Sequence, residues 1–115
     1  MDYTESILGS IKKMLGPGAD DEHFDPDIIM HINSALMELR QIGIGPEEGY
    51  NIEGDTEEWA DFLPDIEKLA PVKQYVYLKV KLIFDPPLST SVTEEYNKTL
   101  SRLEWRLNSE VDYND

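Results

Sequence analysis

The 115-residue sequence predicts an all-α fold: a small bundle of about four to five amphipathic helices with one long loop and a flexible C-terminal tail. Three observations carry that reading. Apolar residues recur at helical spacing in successive segments. Ser, Thr, Asp and Pro stand where those segments begin, and Gly or Pro where they stop. No two convincing strands are available to pair with each other. The length suits one domain over 1–115, with 111–115 expected to be a disordered tail.

The first segment runs from about Asp2 to Leu15. Ile7, Leu8, Ile11, Met14 and Leu15 share a face, Thr4 or Asp2 offers a cap, and Lys12 and Lys13 suit the C-terminal end of the helix dipole. Gly16-Pro17-Gly18 ends it. In the second, Asp25 offers an N-cap oxygen and Pro26 a first-turn residue that needs no N–H partner. Ile28, Ile29, Ile32, Leu36 and Leu39 then form a stripe through Ile42, before Gly43. Ile44 to Asp55 reads as a long glycine-bearing loop, of a length that is usually functional. An Asp55-x-x-Glu58 capping box precedes a short helix containing Trp59, Phe62 and Leu63, closed by Pro64.

Val72 to Phe84 reads two ways. Val76, Leu78, Val80, Leu82 and Phe84 alternate as in a strand, while Leu69, Val72, Val76, Val80, Ile83 and Phe84 fit one helical face; length favours the helix. Asp85-Pro86-Pro87 stops the segment. Ser91-Val92-Thr93-Glu94 is a further capping box, and Val92, Tyr96, Leu100, Leu103 and Leu107 continue as a stripe. Both tryptophans, Trp59 and Trp105, are expected to be at least partly buried.

Charge constrains function more than any motif does. Asp and Glu number 24 against 10 Lys and Arg, a formal net charge of −14. Such a surface keeps a protein soluble and repels phosphate backbones and anionic lipid. The acids from Asp20 to Glu67 face only Arg40, whereas most basic residues, including Arg102 and Arg106, lie later. Opposite signs of that kind can meet head to tail between copies, or be used up in local pairs. With no cysteine there is no disulfide or thiolate chemistry, which fits a reducing interior. The N-terminus lacks the basic lead and apolar run of a signal peptide, and no stretch is long and apolar enough to span a bilayer. The expectation is a soluble intracellular protein without a membrane partner.

No catalytic, cofactor or metal residue emerges. Asp27 and His31 stand one helical turn apart and supply two metal ligands at most, so a surface or interface histidine is the preferred reading. Asp20-Asp21-Glu22 with Asp25 lacks the alternation of a calcium loop. Gly43-Ile44-Gly45 with Gly49 follows a helix, has no Lys, and is flanked by Glu47 and Glu48, which would repel phosphate. Glu57 and Asp61, at helical spacing, read as a solvated face.

In order along the chain, Asp25-Pro26-Asp27-Ile28-Ile29-Met30-His31-Ile32-Asn33-Ser34-Ala35-Leu36, Gly43-Ile44-Gly45-Pro46, Thr56-Glu57-Glu58-Trp59-Ala60-Asp61-Phe62-Leu63, Tyr77 to Pro87, and Leu103-Glu104-Trp105-Arg106-Leu107 together resemble the head–tail connector proteins of tailed phages and prophages. The resemblance implies a small helical subunit without an active site and a helical Val72–Phe84. It implies a ring of copies of itself, commonly about twelve, beneath the portal protein of the virion, built in the host cytoplasm. Such a ring extends the DNA channel, through which DNA passes without specific binding, and docks the next head-completion or tail protein. The candidate subunit or partner interface is Ile44, Gly45, Pro46, Glu47, Glu48, Gly49, Tyr50, Asn51 and Ile52 of the loop, with Arg102, Arg106 and Tyr113. The loop and the tail from Asn108 are expected to order only against neighbours, so that shortening the loop or removing the tail spares the fold. The alternative from another class is a small acidic regulator or DNA mimic that occupies a basic groove on a nucleic-acid-handling enzyme.

Overall fold

A computed structural model describes residues 5–63 and 66–114, with the side chains of Ile66 and of 110–114 outside the described set. Five helices are present: α1 (Ile7–Leu15), α2 (Asp25–Gln41), α3 (Trp59–Phe62), α4 (Leu69–Phe84) and α5 (Thr90–Asn114). Single 3₁₀ turns stand at Pro17–Ala19, Glu22–Phe24 and Ile66–Lys68. Among the described residues there is no strand; an isolated antiparallel bridge joins Ser6 to Glu58. The predicted class is the observed one, and the segment with two readings is a helix.

Several helix starts differ from their expected positions. Residues 1–4, including Asp2 and Thr4, lie outside the described residues, and the cap of α1 is Ser6, whose Oγ accepts the Gly9 N–H at 3.0 Å. Asp25 is the first residue of α2 and not its cap. Its carboxylate instead accepts from Lys12 Nζ at 2.7 Å, tying the start of α2 to the end of α1. α3 begins four residues after Asp55, and Asp61 Oδ2 accepts the Glu58 N–H at 2.9 Å. Glu57, one residue earlier, turns back and accepts the backbone N–H of Glu53 at 2.7 Å. α5 starts at Thr90, ahead of the expected Ser91 box, and the Ser89 carbonyl accepts from the Thr93 N–H.

α4 is the centre of the molecule. It packs against α2 most extensively, then against α5 and α1, while α2 and α5 barely meet. Leu69, Val72, Tyr75, Val76 and Val80 of α4 are buried, and so are Ile28, Ile32, Leu36 and Leu39 of α2. Ile7 and Ile11 of α1, with Leu100, Leu103 and Leu107 of α5, complete the core. Removing this much aliphatic surface from water at roughly 25 cal/mol per Å² is the main force holding the bundle. The buried residues of α4 recur at three and four positions, which a strand cannot place on one face. Ile83, assigned to that face by spacing, is 59 % exposed, while its neighbours Leu82 and Phe84 are half-buried against the core. No described helix is long and apolar enough to cross a membrane.

α3 is short, yet it anchors one side of the core. Trp59 is fully buried, and its indole Nε1–H donates to Ser10 Oγ at 2.8 Å. Ser10 Oγ in turn donates to the Ile7 carbonyl at 3.0 Å. Ile7 N–H donates to the Glu57 carbonyl and Trp59 N–H to that of Glu5, so α1 and α3 share backbone bonds at their starts. Buried polar groups are tolerated when paired in this way. Among the described residues, one buried side-chain group has no such partner: the Tyr75 hydroxyl. Burial, and then the charges of Glu104 and Glu38, push it above the ordinary tyrosine range, so it stays neutral.

Candidate subunit interface

Between Ile42 and Glu58 the chain has no helix, as the sequence predicts, but it is held to the bundle. Gly43, with φ 93°, turns the chain off α2, and the Ile44 N–H donates back to the Leu39 carbonyl at 2.9 Å. Asn33 on α2 clamps the far end. Its amide nitrogen donates to the Ile52 carbonyl at 3.0 Å, and its amide oxygen accepts the Ile52 N–H at 2.8 Å. Arg40 Nε donates to the Glu47 carbonyl at 2.7 Å, securing the tip.

The loop residues therefore divide. Ile44 and Ile52 are buried in the chain's own core, which corrects the expectation that the whole loop waits for a neighbour to order it. Deleting Ile44 to Asp55 would remove two core side chains, so it would not spare the fold. Gly45 has φ 94°, and a Cβ there would fall 2.4 Å from Phe62 Cε1; only glycine fits. Tyr50 is half-buried with its ring 5.7 Å from that of Phe62. Burial first, then the Asp61 and Glu57 charges, raise its hydroxyl pKa. Pro46 and Gly49 are half-buried, while Glu47, Glu48 and Asn51 face solvent.

Arg102 and Arg106 lie on exposed positions of α5, far along the fold from the loop. Arg102 Nη2 donates to Thr99 Oγ1 at 3.2 Å. Tyr113 sits in the helical backbone of α5, but its side chain is outside the described residues. The expected tail 111–115 begins inside α5, whose backbone is helical to Asn114; Asp115 lies outside the described residues. The structure does not gather the loop, Arg102 and Arg106 into one patch: they border separate concavities with no residue in common.

Two surface features escaped the sequence reading. Trp105 is 73 % exposed, contrary to expectation. The α5 stripe is Leu100, Leu103 and Leu107, and a residue two positions past Leu103 points about 200° away at 100° per residue. That spacing carried the signal. The second feature is an open groove of about 900 Å³ between α2 and the returning loop, bordered by Ile29, Met30, Met37, Glu48 and Glu53. Met30 and Met37 are 57 % and 53 % exposed on the outer face of α2.

Electrostatically, the charge asymmetry of the sequence is partly closed inside the chain. Lys79 on α4 pairs with Glu38 on α2 at 3.0 Å, Lys12 with Asp25, and Lys73 with Glu5 at 4.0 Å. All three pairs are partly shielded, with no lysine side chain more than 27 % exposed. Asp21 Oδ1 accepts the His23 backbone N–H, which above all holds its carboxyl below the ordinary range, and also contacts the His23 ring. No group of three or more potential metal ligands is found among the described residues.

Four helices around a central α4, a tethered loop and exposed apolar side chains on two outer faces define a small α-helical bundle protein. The chain belongs to the phage connector family: a family model described as phage connector protein matches residues 7–114. No curated protein matches the chain, and no solved structure does.

Proposed function

We propose that the chain is a structural subunit of the head–tail junction, without chemistry of its own, that closes into a ring of identical copies under the portal. The ring extends the DNA channel and presents the surface on which the next head-completion or tail protein docks. It acts in the virion after assembly in the host cytoplasm. Family membership over residues 7–114 is the observation that carries the reading.

Physical features of the chain support it. A formal net charge of −14 suits a channel through which DNA slides without sticking. A loop tip with exposed Glu47, Glu48 and Asn51, and an α5 face with Arg102 and Arg106, offer opposite charges for contact between copies. Exposed large apolar side chains on an otherwise polar surface are what such contacts use.

The test is assembly with a phage portal protein. Light scattering and negative-stain microscopy should show ring-shaped particles when the two purified proteins are mixed. A chain that ignores the portal yet binds a basic DNA-handling enzyme tightly is a regulator or DNA mimic instead, and the connector reading fails.

A further inference from the structure

We propose that the groove on α2 is filled by Trp105 of a second copy of the chain, so that neighbouring copies meet head to tail, α5 of one against α2 of the next. This rests on the ring reading above and names the contact that builds the ring. Trp105 leaves 73 % of its surface in water, on an α5 face it shares with Arg102 and Arg106. Tryptophan and arginine are both enriched among interface anchors, and burying a tryptophan removes roughly 150–250 Å² from water. The groove supplies the matching partner. It is lined by Met30 and Met37, whose flexible thioethers reshape around an aromatic ring, and by Glu48 and Glu53 at its exposed rim.

Charge selects the occupant. The acidic rim favours a partner that brings cations beside its apolar anchor, and this chain has such a patch in Arg102 and Arg106. Arg40 also borders the groove, and its Nε is engaged with the Glu47 carbonyl.

Geometry makes the contact intermolecular. α4 stands between α2 and α5, and Tyr75 on α4 feels the charges of both Glu38 on α2 and Glu104 on α5. Groove and anchor lie on helices that barely meet, and their linings share no residue. A contact between two different surfaces of identical chains repeats with one sense, and closes into a ring when the rotation permits.

The chain contains no cysteine, which makes the test clean. Ser34 borders the groove and Ser101 borders Trp105, and both are exposed, so Ser34→Cys and Ser101→Cys copies should fold normally. The two variants are mixed, with and without the portal, and treated with a short bis-maleimide. The expected product is a mixed dimer, about tenfold above either same-position dimer, falling to background when the Ser101→Cys copy also carries Trp105→Ala. Circular dichroism and urea melts check that each variant is folded. Rings that form without the mixed cross-link, or a cross-link indifferent to Trp105→Ala, overturn this contact and leave the ring reading standing. Absence of both assembly and cross-link, with and without the portal, overturns the two together.

Discussion

The chain has two tryptophans, and the fold treats them oppositely. Trp59, in a helix of four residues, is fully buried and hydrogen-bonded through its indole to Ser10. Trp105, in the longest helix, stands in solvent. The difference teaches where the two kinds of binding energy reside. Around Trp59 the apolar surface is spent on folding, in a network that also fixes the starts of α1 and α3. Around Trp105 it is withheld from folding and left in water.

The largest effect that could break this contrast is on stability. Trp59→Ala should cost roughly 3–5 kcal/mol by cavity formation and unfold much of the population. Trp105→Ala should stay within about 0.5 kcal/mol of the parent, as surface changes do. Urea melts of the two variants decide it; equal losses would mean that Trp105 also belongs to the core.

Next in size is the clamp between α2 and the loop. Asn33→Ala leaves both backbone groups of Ile52 without their partner and should cost roughly 1–3 kcal/mol. The loss should appear in hydrogen exchange as local opening, with the Ile52 amide exchanging faster while α4 amides keep their protection. Loss of protection across the whole bundle would place the clamp in the global fold.

The smallest expected effect concerns pH. Backbone N–H bonds, that of Glu53 first, hold the Glu57 carboxyl below its ordinary value of about 4.5. Folding therefore favours its ionised form. The stability it contributes is present above the unfolded value and is lost as pH falls through the lower folded value. Glu57→Gln should therefore lower stability slightly at neutral pH and converge with the parent as pH falls below about 4.5. Parallel acid melts that differ only by a constant offset would show that Glu57 does not contribute through its charge.

The contrast also explains what the sequence reveals. Helix α2 was legible because its buried residues recur at three and four positions, and that pattern is local; in α4 the buried Val76, Leu78 and Val80 also alternate, so that length and not spacing favoured the helix. The exposure of Trp105 was legible too, since it lies off the Leu100, Leu103 and Leu107 stripe, but counting aromatic residues as core hides it. Ser6, and not Asp2 or Thr4, caps α1 because Ser6 is held beside Glu58, some fifty residues away in sequence. The clamp of Asn33 on Ile52 spans nineteen positions, and no local pattern announces an amide facing a loop backbone. Of the interface residues, the sequence picks out a loop by its glycines and length. It does not say that Ile44 and Ile52 face inward, because that depends on where α2 carries Asn33.

The fixed ends of that loop bear on how such chains diverge. Any β-carbon at position 45 would drive into the Phe62 ring, and any side chain at 33 without both an amide donor and an acceptor would release Ile52. Between those two anchors, Glu47 and Glu48 are exposed, and the fold itself places no demand on their side chains. A lineage can thus rewrite the tip in charge without renegotiating the fold that carries it, and any pressure on those positions comes from outside the chain.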